Sequence, residues 1–146
     1  SFYCFDEPIL APADGTVVRA KDGHRDHHRT SGWVDPLQYR LAGNYVVIKH
    51  AEDEYSFLAH LKKGSICVEP GEEIEQGQEI GRCGHSGNSS EPHLHFHVHD
   101  HSIPYVGAGL PIRFIAATDH PDLEPTDQER TYIHCGQTVT YDTTPG

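Results

Sequence analysis

The chain has 146 residues, a formal net charge of -11, 13 histidines, four cysteines and no methionine. That length suffices for a single domain with its own core, and an acidic balance without any basic cluster argues against nucleic acid or anionic membrane surfaces as partners. No run of 18 apolar residues and no basic start followed by an apolar stretch is present, so neither a membrane-spanning segment nor a signal peptide is read from these residues.

In chain order, short β-branched or aromatic segments follow one another between turn residues. Thr16–Ala20, Asn44–His50, Tyr55–Leu61 and Glu79–Cys83 each read as a strand. The turns between them fall at Ala13-Asp14-Gly15, Glu52-Asp53-Glu54, Glu69-Pro70-Gly71 and Gln76-Gly77. No segment keeps a helical period for three turns. Many short strands at close spacing predict an all-β sandwich or barrel. Lys21–Ala42, which carries His24, His27, His28, Trp33 and Pro36, reads as a long polar loop at the rim of a cleft.

The next segment carries the chemistry. In His93-Leu94-His95-Phe96-His97-Val98-His99 the residue types alternate, and on a strand that places four imidazoles on one face and Leu94, Phe96 and Val98 on the core face. Successive rings on one face stand roughly 7 Å apart at a rise of ~3.3 Å per residue. Gly87-Asn88-Ser89-Ser90 makes a loop beside them, and Pro92 fixes the backbone where the run begins. Beyond Asp100 the chain reads as a loop and a strand at Pro111–Ile115. A Pro/Asp/Glu-rich connection then leads to strands at Tyr132–His134 and Thr138–Tyr141. Residues 1–117 are expected to form one domain, with 118–146 an extension packed on it.

Cys4, Cys67, Cys83 and Cys135 are widely spread with no C-x-x-C pair, which argues against a zinc ribbon or a thioredoxin-like motif. Free thiols and one or two disulfides are both consistent with that spacing.

The run Gly84-His85-Ser86-Gly87-Asn88-Ser89-Ser90-Glu91-Pro92-His93-Leu94-His95-Phe96 resembles the H-x-H signature of the lysostaphin and LytM type of zinc endopeptidases, which cut peptide cross-links of bacterial cell walls. Supporting segments occur in the same order as in that family: Ala11–Val18, Gly43–His50, Leu58–Leu61 and Gly71–Gly81. The resemblance covers about positions 8 to 99 and implies a barrel-sandwich-like antiparallel fold, built on a duplicated hybrid motif. It implies zinc as cofactor, peptidoglycan peptides as substrate, and a periplasmic, surface or secreted location. It places a metal ligand at His95 and catalytic histidines at His93 and His60, which would orient and deprotonate a zinc-bound water and stabilise the oxyanion.

A catalytic zinc needs three protein ligands, and the resemblance supplies only His95. The family's H-x-x-x-D motif would fall at or before Ser1, and Asp6 lies too close to Pro8 to stand in for its aspartate. The chain, which opens without methionine into an aromatic run, is therefore expected to be the larger, C-terminal part of the peptidase domain. His97 and His99 are expected to lie beside the site or in solvent. Two rival readings are a non-catalytic LytM-type wall-binding or regulatory module, and a lipoyl or biotinyl carrier domain suggested by Gly71–Gly81. The carrier needs an exposed lysine at a hairpin tip, and Lys62 and Lys63 follow a histidine-bearing strand instead.

Overall fold

The computed structural model describes residues 3–27 and 41–112 together with strand residues 114–115 and 130–131. It divides into two compact units, Ser1–Leu110 and Pro111–Gly146. The fold is all-β. In the first unit the strands are β1 (Pro8–Leu10), β2 (Gly15–Lys21), β3 (Asn44–Ala51), β4 (Glu54–Leu61), β5 (Glu73–Ile74), β6 (Glu79–Arg82), β7 (His95–His99) and β8 (Gly109–Leu110). In the second, β9 (Phe114–Ile115) pairs antiparallel with β10 (Arg130–Thr131). The expected strands at 132–134 and 138–141 lie outside the described residues, as do His28, Trp33 and Pro36.

Six strands form one antiparallel sheet in the order β5-β2-β3-β4-β7-β8, and β1 and β6 pair separately as a two-stranded ribbon. The large sheet stays open, so of the two expected architectures the closed barrel is not the one adopted. The two-residue strands β5 and β8 owe their assignment to pairing with β2 and β7, since two residues carry no readable period.

Alternation sends the side chains of the sheet to two different environments. On one face Val17, Val46, Ile48 and Leu58 pack with Ile9 of β1, Ile80 of β6, Val68 and Ile74, and Leu94 and Phe96 join from the edge. This is the aliphatic core between sheet and ribbon. On the other face Val47, Phe57, Ala59 and Ala42 form a second cluster flanked by Val18, Tyr45 and Tyr55. The central strand β3 therefore buries Val46, Val47 and Ile48 completely, covered from both sides. Leu94 and Phe96 point inward as the alternation predicts, and Val98 on the same face is half-buried.

The β3–β4 pairing carries a bulge where it matters. Asn44 pairs with Leu61 and Tyr45 with Ala59, so His60 is an extra residue on β4. Its φ of 63° lies in the left-handed region, which costs a non-glycine residue of order 1–3 kcal/mol unless the surroundings enforce it. In strict alternation His60 would share the aliphatic face with Leu58. The extra residue returns Leu61 to that core and frees His60 to turn away from it.

Candidate active site

A buried polar network holds the bulge. The Asn44 side chain donates to the carbonyls of Leu61 and His24, both at 2.9 Å, and accepts from the His24 amide at 2.8 Å. Ser86 Oγ donates to the Leu61 carbonyl at 2.7 Å and accepts from the Asn44 amide at 3.0 Å. Asn44 and Ser86 are both wholly buried, so each bond here replaces one that water would otherwise supply. Gly43 and Gly87, with φ of 64° and 75°, let the two backbones pass in contact, and a Cβ on Gly43 would come within 2.5 Å of Ser86 Oγ. The loop before His93 is thereby fastened to the start of β3.

The result places the His60 ring beside those of His93 and His95. The His60 ring lies 4.8 Å from that of His93 and 5.8 Å from that of His95, centroid to centroid. A carbonyl can only accept, so His60 Nδ1–H donates to the Ser86 carbonyl at 2.8 Å and His93 Nδ1–H to that of Glu91 at 2.8 Å. In the neutral tautomer each ring then keeps an Nε2 lone pair to take up a proton. His60 is 4% exposed, and burial, followed by the neighbouring histidines, pushes its pKa down to about 4, so it is neutral at physiological pH.

The remaining histidines of β7 continue the row. His95 Nε2 and His97 Nδ1 are 3.0 Å apart in a hydrogen bond. His97 and His99 rings lie 4.9 Å apart, and His99 Nδ1–H donates to the Val106 carbonyl at 3.2 Å. The His95–His97 centroid distance of 5.1 Å is shorter than extended spacing alone gives, because the rings lean together over Phe57. Phe57 is fully buried beneath His95, His97, His99 and Tyr105, at 4.9 to 6.4 Å between centroids. Burial lowers the pKa of His95, and burial followed by its two histidine neighbours pushes that of His97 to about 4. His97 thus bonds directly to the candidate ligand rather than standing in solvent, and His99 is buried.

Phe57, Tyr105, Asn44 and Ser86 are the site residues that sequence reasoning passed over. Asn44 could have been noticed as a lone polar residue opening an apolar strand. Nothing local marks Ser86, whose partners are 25 and 42 positions away. The polar loop is also partly tied down. His27 bonds the Gly87 carbonyl at 2.7 Å through Nε2 and meets the buried His85 ring edge-on, and His24 pairs with Asn44. Asp6, set aside as a ligand, forms an ion pair with Lys62 at 2.7 Å, and the hydrogen bond from Lys62 is the main cause that lowers its pKa.

Imidazole suits zinc as a donor type. Among the described residues, however, no group of three or more His, Cys, Asp or Glu side chains is arranged to hold a metal ion. These residues alone do not complete a zinc site.

The model of Peptidase family M23 matches residues 4–106. Peptidoglycan DD-endopeptidase ShyA of Vibrio cholerae serotype O1 (strain ATCC 39315 / El Tor Inaba N16961) is 32% identical over 91 residues, covering 62% of this chain and 17% of its own length. Murein hydrolase activator NlpD of Escherichia coli (strain K12) is 32% identical over 110 residues, covering 75% of this chain and 23% of its own. The crystal structure of the catalytic domain of a mutant of the prophage-encoded M23 protein EnpA from Enterococcus faecalis aligns with a TM-score of 0.55 at 23% identity. It covers 75% of this chain and 69% of that one, and shows the shared fold. This chain spans less than a quarter of the length of these two curated relatives.

Proposed function

The chain belongs to peptidase family M23, and we propose that it carries the proton-transfer half of a zinc-dependent endopeptidase that hydrolyses peptide bonds in bacterial peptidoglycan. The observation that supports this most is the meeting of His60, His93 and His95, with Nδ1 of the first two anchored on backbone carbonyls. Rings anchored in this way accept a proton from an attacking water and return it to the leaving amine, and such general acid–base catalysis contributes about 10²–10⁴-fold. His60 and His93 take that role. His95 is the metal ligand these residues offer, and further donors have to come from outside the described residues.

Peptidoglycan peptides as substrate, and the cell envelope or exterior as location, draw support from the names of the relatives, ShyA as a peptidoglycan endopeptidase and NlpD as an activator of murein hydrolases. No helix among the described residues is long and apolar enough to cross a membrane. The carrier-domain reading has no role for the histidine cluster.

A second reading, a non-catalytic regulatory module, draws support from the likeness to the murein hydrolase activator NlpD. One experiment separates the two. The full-length protein, with zinc supplied, is incubated with purified peptidoglycan, and the products are resolved by chromatography and mass spectrometry. Conversion of cross-linked to uncross-linked peptides, lost in His60→Ala, His93→Ala and His95→Ala, supports the peptidase. Intact cross-links after prolonged incubation with metal-loaded wild type would leave only the regulatory reading.

A further inference from the structure

On the opposite side of β7 from the row of rings, two thiols stand together at the edge of the aliphatic core. The turn Cys4–Glu7, closed by the Glu7 amide on the Cys4 carbonyl at 3.2 Å, folds the chain back before β1. Its next residues run against the end of β6: the Asp6 amide donates to the Cys83 carbonyl and the Cys83 amide to the Glu7 carbonyl, both at 2.9 Å. Asp6 also forms ion pairs with Lys62 and Arg82. This scaffold packs Cys4 against the cluster that contains the buried Cys83, and the two thiols are hydrogen-bonded to each other. Cys4 also donates to the Pro92 carbonyl at 2.9 Å, immediately before His93.

Paired backbone segments hold these two cysteines side by side, whereas Cys67 is exposed and its thiol donates to the Glu79 carbonyl. We propose that Cys4 and Cys83 are a dithiol that closes to a disulfide under a disulfide-bearing oxidant, clasping the N-terminal turn to the sheet beside the start of the H-x-H segment. The half-buried Cys4 thiolate attacks one sulfur of the oxidant, forming a mixed disulfide and expelling one thiolate. Cys83 then attacks the Cys4 sulfur, forming the internal bond and expelling the second. Two cysteine thiols are oxidised, one external disulfide is reduced to two thiols, and the two cysteine protons end on those thiols.

Burial, followed by its contact with Cys4, pushes the Cys83 thiol up to about 12. Cys83 is therefore a poor first attacker. Once closed, Cys4 has no S–H to donate, and its bond to the Pro92 carbonyl is given up. The inference does not depend on the hydrolytic reading.

The test uses the full chain carrying Cys67→Ser and Cys135→Ser, so that only the pair remains, titrated with oxidised glutathione. Expected are a loss of about 2 Da, a peptide cross-linked between Cys4 and Cys83 under non-reducing digestion, and a rise in the unfolding midpoint of roughly 10 °C that dithiothreitol reverses. The wild-type chain, mapped in parallel, should show the same cross-link. Glutathione retained on Cys4 at equilibrium without an internal bond, or a wild-type cross-link that joins either residue to Cys67 or Cys135, overturns the proposal.

Discussion

The two faces of the six-stranded sheet are made from the same strands yet obey different rules. On the ribbon side, Val46, Ile48, Leu58 and Phe96 fill space and little else, and their neighbours are aliphatic. On the other face, Ala59, Phe57 and Tyr55 stand opposite His95, His97 and His99 in register, a row of rings that carries both bulk and ionisable nitrogen. One period of alternation thus divides a strand between stability and chemistry, and changes on the two faces should be separable by measurement.

The largest separation is expected in catalysis. If the proposed hydrolytic role holds, His60→Ala or His93→Ala should lower peptidoglycan cleavage about 10²–10⁴-fold, with the unfolding midpoint measured alongside. A fall smaller than about tenfold in both would remove the proton-transfer assignment. Next comes the opposite face. Leu58→Ala should destabilise the fold by about 2–5 kcal/mol in denaturant unfolding while leaving activity per folded molecule unchanged. Loss of activity at full folding would show that the two faces are coupled.

A smaller effect is expected at the seam between them. Asn44→Ala removes the side-chain partner of the His24 amide and carbonyl and one of two donors to the Leu61 carbonyl, and should cost about 1–3 kcal/mol. It should also weaken the hold on the bulge, so activity ought to fall by more than stability accounts for. The smallest effect is in pH. His60 titrates lower in the folded chain, at about 4, than the ordinary 6.5. Its contribution to stability is therefore present above pH 6.5 and lost as pH falls through about 4. Thermal unfolding scanned across that window should show a slope that becomes shallower in His60→Gln, and an unchanged slope would contradict the burial argument.

Much of this division was legible in the residues. The strands β2, β3, β4 and β6, the alternation of β7 and the inward turn of Leu94 and Phe96 follow from residue type and hydrophobic period, because burying one face of a strand fixes all its side chains together. The convergence of His60 with His93 and His95 was not legible by that logic. Strict alternation puts His60 in the aliphatic core, and the bulge that redirects it depends on Asn44 and Ser86, 42 positions apart. The proximity of His97 to His95 was likewise hidden, because rings that lean over a shared phenyl floor depart from ideal spacing. Long-range polar pairs leave no periodic trace, whereas burial of apolar faces does.

The extra residue at position 60 has an evolutionary corollary. Removing a single codon there would leave Ala59 and Leu61 adjacent, in register with Tyr45 and Asn44, with regular alternation restored. The shortened protein would keep its sheet, shed a strained backbone conformation and lose one of the three clustered rings. Such a lineage would lose the proposed proton-transfer pair in one step without passing through an unfolded ancestor.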